Sequence, residues 1–128
     1  MANTIVNSTN APAPIGPYSQ AILASGILYV SGQIAIDPAT NSMIVDNIEA
    51  ETHRVMQNLQ AILTEAGLDF TNVVKCTIFV KDLNNFGRIN TIYGGYFSQI
   101  PPARETVEVS RLPKDVNVEI SCIAVKPA

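Results

Sequence analysis

No run of lysine or arginine occurs anywhere in this chain, and only 15% of its 128 residues are charged. Binding nucleic acid through its phosphates needs a basic patch, so with a net charge of −3 no nucleic-acid partner is expected. Nothing near the N-terminus joins a basic start to an unbroken apolar run, and the longest apolar runs fall far short of spanning a bilayer. Neither a signal peptide nor a membrane anchor is expected. The two cysteines, Cys76 and Cys122, lie in strand-like apolar stretches and read as buried free thiols, which suits a reducing cytoplasm. There is no cluster of cysteine and histidine at metal-ligand spacing, and the single histidine, His53, falls on the polar side of a helix.

What the chain does have is apolar surface. Apolar residues make up 47%, and 128 residues form one domain large enough to bury a core. So little charge points to a buried interface between subunits. Residues 1–14 read as a short strand or arm and a proline-broken loop. Ser19–Ala24 and Ile27–Gln33 predict a hairpin around Ser25-Gly26. A helix is expected from a cap at Asp46, with Glu49 as capping-box partner, to a stop at Gly67. Its apolar face is Val55, Met56, Leu59, Ile62, Leu63 and Ala66.

A strand over 73–81, a second helix over 83–97 and strands near 103–111 and 116–125 complete a β-β-α-β-α-β-β order. That is an α+β fold, a mixed sheet with two helices on one face. Strand 73–81 is apolar at both parities, with Val74, Cys76, Ile78 and Val80 on one face against Val73 and Phe79 on the other, so both faces of the sheet should be covered. Two helices cover one; neighbouring subunits are the obvious cover for the other.

Four blocks carry chemistry. Pro101-Pro102-Ala103-Arg104-Glu105-Thr106 sets an arginine at the mouth of an alternating strand, where its planar fork suits a carboxylate. The others are Gly16-Pro17-Tyr18-Ser19-Gln20-Ala21, Leu28-Tyr29-Val30-Ser31-Gly32-Gln33 and Val116-Asn117-Val118-Glu119-Ile120. In this order and spacing they resemble the Rid (RidA/YjgF) family of reactive-intermediate deaminases, over essentially the whole chain.

The resemblance implies a chorismate-mutase-like homotrimer with a cleft at each subunit interface. It also implies hydrolysis of 2-enamine and 2-imine acids to 2-keto acids and ammonia, without metal or organic cofactor. Arg104 matches the carboxylate clamp and Glu119 the residue that holds the attacking water. Tyr18, Ser31 and Gly32 match the cleft lining. Thr106 departs from the family, because many relatives carry cysteine where the substrate carboxylate is contacted. The competing expectation is a non-catalytic sensor of 2-keto acids in the same cleft. Glu119 favours hydrolysis, since a water-activating carboxylate gives an anion sensor nothing.

If residues 112–115 close a hairpin, Arg104 falls opposite Ile123, about 13 Å along the strand from Glu119. That is too far for one small substrate, so each site is expected to combine Arg104 of one subunit with Glu119 of its neighbour.

Overall fold

Helix α1 (Ile48–Glu65) is the longest element of the computed structural model, which describes residues 2–127. Val55, Met56, Leu59, Ile62 and Leu63 recur at helical spacing and are completely buried. Burying each side chain of that size contributes roughly 1.5–3 kcal/mol. The cap lies one residue later than expected: Asn47, not Asp46, accepts from the Ala50 amide at 2.8 Å. After the helix, Gly67 takes a φ of 76°, a left-handed conformation that costs glycine nothing.

The strands are β1 (Thr4–Val6), β2 (Ala21–Ala24), β3 (Ile27–Gln33), β6 (Val73–Val80), β7 (Ala103–Glu108) and β8 (Val118–Val125), with a small pair β4 (Ile36–Asp37) and β5 (Ser42–Met43). β1 and the β4–β5 pair add to the expected order; the latter closes around the Asp37–Asn41 loop. The six long strands form one sheet in the order β1-β2-β3-β8-β6-β7. β2 and β3 form the expected hairpin, with Ser25 and Gly26 both at positive φ as a tight two-residue turn requires. The second helix, α2 (Phe86–Gly94), is shorter than the pattern suggests. Residues Leu83–Asn85 form a separate 3₁₀ turn, and the chain leaves the helix at Gly95. Both helices pack on one face of the sheet, with Ile89 and Tyr93 of α2 in the same core as α1.

Two sequence expectations are corrected by the pairing. β7 and β8 do not form a hairpin. β7 ends at Glu108, pairs in parallel with β6, and occupies the sheet edge, while β8 lies between β3 and β6. Arg104 therefore stands opposite Cys76, not Ile123. The second correction is a bulge at Val74, between the Val73–Ala124 and Lys75–Ile123 pairs. It puts Val73 on the buried face with Cys76, Ile78 and Val80, and leaves Val74 about half exposed at 47%.

The other face of the sheet is covered, among the described residues, only around Phe79, which packs against a small cluster of Ile34, Ile36, Leu112 and Val116. Ile5, Tyr29, Val107 and Val125 are exposed, and Ile22, Phe79 and Ile123 only part-buried. Cys76 and Cys122 face each other across β6 and β8 on the helix side, both free and buried. Among the described residues, no helix is long and apolar enough to cross a membrane.

Candidate functional site

A bulge in β3 lies at the cleft that holds Glu119. The β3–β8 register is regular through Val30–Cys122 and resumes at Gln33–Ile120, which leaves one extra residue in the Ser31-Gly32 region. The Glu119 carboxylate packs onto Gly32. A Cβ added there would lie within 2.9 Å of Glu119 Cδ and 3.0 Å of its Cγ, so only glycine leaves the side chain where it is.

Around this point is a cleft of about 380 Å³ that brings together Tyr18, Ser31, Gly32 and Glu119. Its walls are mostly apolar, with Ile15, Ile34, Ile36 and Pro113 among them. Half-burial in these walls pushes the Glu119 carboxyl above its usual range, and no neighbouring cation opposes that. Such a group titrates closer to neutrality, where a proton acceptor works best. Ser31 donates its hydroxyl to the Ser19 carbonyl at 2.7 Å, which leaves the oxygen's lone pairs to accept from an N–H. Tyr18 stands at the rim, 49% exposed.

The cleft is braced by side chains whose importance the sequence did not reveal. Gln20 is buried and bonds Ser8 and Pro12, which ties the loop carrying Pro12 and Ala13 to the start of β2. Asn58 of α1 donates to the carbonyls of Ile34 and Ile36, both at 3.0 Å. Glu51, fully buried, accepts from the Asn117 backbone and side chain at 2.7 Å each, and so fixes the entry to β8 two residues before Glu119. Buried amides and carboxylates on a helix are recognisable as anchors only once their partners are known.

Arg104 and Thr106 lie elsewhere. Alternation along β7 turns both toward the helix side, while Glu105 turns away to pair with Lys75 and Thr77. The Arg104 guanidinium donates to Asn90 Oδ1 at 2.6 Å and sits 5.3 Å from the Phe86 ring centroid and 5.1 Å from that of Tyr93. It has no carboxylate partner among the described residues. Among the described residues the Thr106 hydroxyl is buried without a hydrogen-bond partner, and the Tyr93 hydroxyl lies against the Cys76 thiol. Burial pushes the Tyr93 hydroxyl and the neighbouring Cys76 thiol above their ordinary ranges, so both are neutral at physiological pH.

The Arg104 and Glu119 side chains do not meet within the chain. Arg104 shares a row with Cys76 and Glu119 shares one with Phe79, three residues on, so they point to opposite faces of the sheet. Three residues along and two strands across come to about 14 Å between their backbones. Asn90, which holds Arg104, is the hardest of these residues to recognise in the sequence. Its one signal is spacing, since Phe86, Asn90 and Tyr93 fall at i, i+4 and i+7 on one helix face. Exposed His53 bonds the Tyr96 hydroxyl at 2.9 Å.

The chain matches the family described as Endoribonuclease L-PSP over residues 8–126. It is 52% identical to a RutC family protein of Synechocystis, over 99% of each chain. It is 42% identical to the bovine 2-iminobutanoate/2-iminopropanoate deaminase, over 98% of this chain and 92% of that one. A solved Rid-family protein from Yersinia pestis superposes with a TM-score of 0.95 at 49% identity, covering 97% of this chain and 99% of the other. The family match over residues 8–126 and relatives at 42–52% identity across nearly the whole chain place it in the L-PSP (YjgF/RutC/Rid) family.

Proposed function

We propose that the protein hydrolyses 2-imine and 2-enamine acids, such as 2-iminopropanoate and its tautomer 2-aminoacrylate, to 2-keto acids and ammonia. The observation that carries this reading is Arg104. A cation held in place without an acidic partner, beside a buried threonine hydroxyl that also lacks one, is set up to receive a small carboxylate. The named activity of the bovine relative agrees with it.

In this mechanism Arg104 and the Thr106 hydroxyl hold the substrate carboxylate. Glu119 orients a water and takes its proton as the oxygen adds to the imine carbon, and passes that proton to the nitrogen as the C=N π bond breaks, giving a neutral carbinolamine. In the collapse Glu119 takes the hydroxyl proton as the C=O bond forms and the C–N bond breaks, and returns it to the leaving nitrogen, so that ammonia departs. Ser31 accepts from the substrate N–H, and Tyr18 closes the rim. An imine carbon is already electrophilic, so positioning and proton transfer carry the reaction.

Because Arg104 and Glu119 face opposite sides of one sheet, the working site joins the Arg104 half of one subunit to the Glu119 cleft of another in a homotrimer. The largely uncovered apolar face supports such an assembly, since side chains like Tyr29 and Val107 gain from burial against a copy. Free buried thiols suit a cytoplasmic setting.

Ribonuclease activity, which the family description names, finds no support in the charge of this chain. Four of its eight lysines and arginines are already paired with acids, and its net charge is −3. The test is release of ammonia and keto acid when a serine dehydratase generates 2-aminoacrylate beside the protein. Acceleration by wild type and its loss in Arg104→Ala are expected. Folded wild type without acceleration would leave a carboxylate sensor as the better reading.

A further inference from the structure

The way Arg104 is held carries a consequence beyond the clamp itself, though it rests on the reading of Arg104 as that clamp. Two acids share its strand and a third reaches α2. Each of them is engaged elsewhere. Glu105, adjacent in sequence, turns to the opposite face and binds Lys75 and Thr77. Glu108 accepts from the Leu83 amide at 2.9 Å. Glu49 is taken by Arg88, which grips it through two bonds of 2.7 Å from an exposed position on α2.

What faces the guanidinium instead is neutral. Phe86 and Tyr93 offer ring faces that attract a cation without cancelling its charge. Asn90 offers a single amide oxygen. Asparagine is a poor helix former and this position is exposed, so neither helix propensity nor core packing favours it here.

We propose that Asn90 is a positioning residue whose neutrality keeps Arg104 available: it aims the guanidinium by one hydrogen bond while leaving its charge for the substrate carboxylate. An aspartate of the same shape would aim it equally well and occupy it. A charge-assisted pair would form beside the Phe86 and Tyr93 rings, and the substrate carboxylate would have to displace it.

The test compares Asn90→Asp and Asn90→Leu with wild type, using 2-oxobutanoate as a binding probe by calorimetry and thermal unfolding as a measure of the fold. Asn90→Asp should unfold at the same temperature as wild type or higher, because it gains an ion pair, yet bind 2-oxobutanoate at least tenfold more weakly. In turnover it should raise KM by a similar factor and leave kcat at saturation within a few-fold. Asn90→Leu keeps the charge free but loses the aim, so its binding loss should be smaller. Asn90→Asp that binds as tightly as wild type overturns the inference, and so does Asn90→Leu that loses as much as Asn90→Asp. Wild type that binds no 2-oxobutanoate would overturn the Arg104 clamp itself, a separate failure.

Discussion

Replacing Gly32 with alanine isolates the role of Glu119 without touching it. The added Cβ would stand within 2.9 Å of Glu119 Cδ and 3.0 Å of Cγ, where ordinary contact is about 3.5–4.0 Å. Backbone strain does not complicate the change, since Gly32 lies outside the positive-φ region. The side chain must therefore swing aside by roughly 1 Å, and displacement of that size at a reacting group costs about 10²-fold in rate. In the shared site Arg104 and Thr106 reach the substrate from another subunit and touch neither Gly32 nor Glu119 of this one, so carboxylate affinity should survive. The expected result is a hundredfold fall in kcat for imine hydrolysis, with 2-oxobutanoate binding within about threefold of wild type. Unchanged kcat in a folded Gly32→Ala variant would refute the idea that Glu119 positions the water from its place on Gly32.

Three further outcomes follow from the same geometry. Glu51→Ala leaves the Asn117 amide without its buried acceptor and should destabilise the fold by about 1–3 kcal/mol, whereas Glu51→Gln retains an acceptor and should lose much less; denaturant titration measures both. Asn47→Ala removes the helix cap and should cost about 1 kcal/mol in the same titration, without changing turnover. Glu119 is raised by burial, so its protonated form is the one the fold favours. Its contribution to stability is full below the unfolded pKa and is lost as pH rises through the folded one. Glu119→Gln should therefore gain stability over wild type at neutral pH but not in acid, while the rise of wild-type kcat/KM with pH through the raised pKa should vanish in the variant.

The local elements were legible because local patterns encode them. The α1 stripe, the Gly67 stop and the Ser25-Gly26 turn each depend on a few adjacent residues. Partner choice between strands does not. β7 alternates in a way that suits pairing with β8 next to it in sequence or with β6 across a helix, and only tertiary packing selects the parallel partner. The hairpin expectation gave the wrong neighbour for Arg104, although a separation from Glu119 too large for one small substrate emerges from either arrangement. The Val74 bulge shows the same limit, because one inserted residue reverses every parity assignment before it. Within the site, Glu119 and Gly32 were identified separately, but that one packs on the other depends on the β3 bulge. Asn90 looked like any polar residue on an exposed helix position, because its significance lies in what Arg104 does not otherwise have.

The central claim is that each working site takes Arg104 from one subunit and Glu119 from another. Arg104→Ala and Glu119→Gln should each be inactive alone. Unfolded together in equal amounts and refolded, they should form mixed trimers in which about a quarter of the interfaces carry both native residues, with activity to match. Recovery near that level is the predicted result. Mixed trimers, verified by native mass spectrometry, that remain as inactive as the two parents would contradict the shared site.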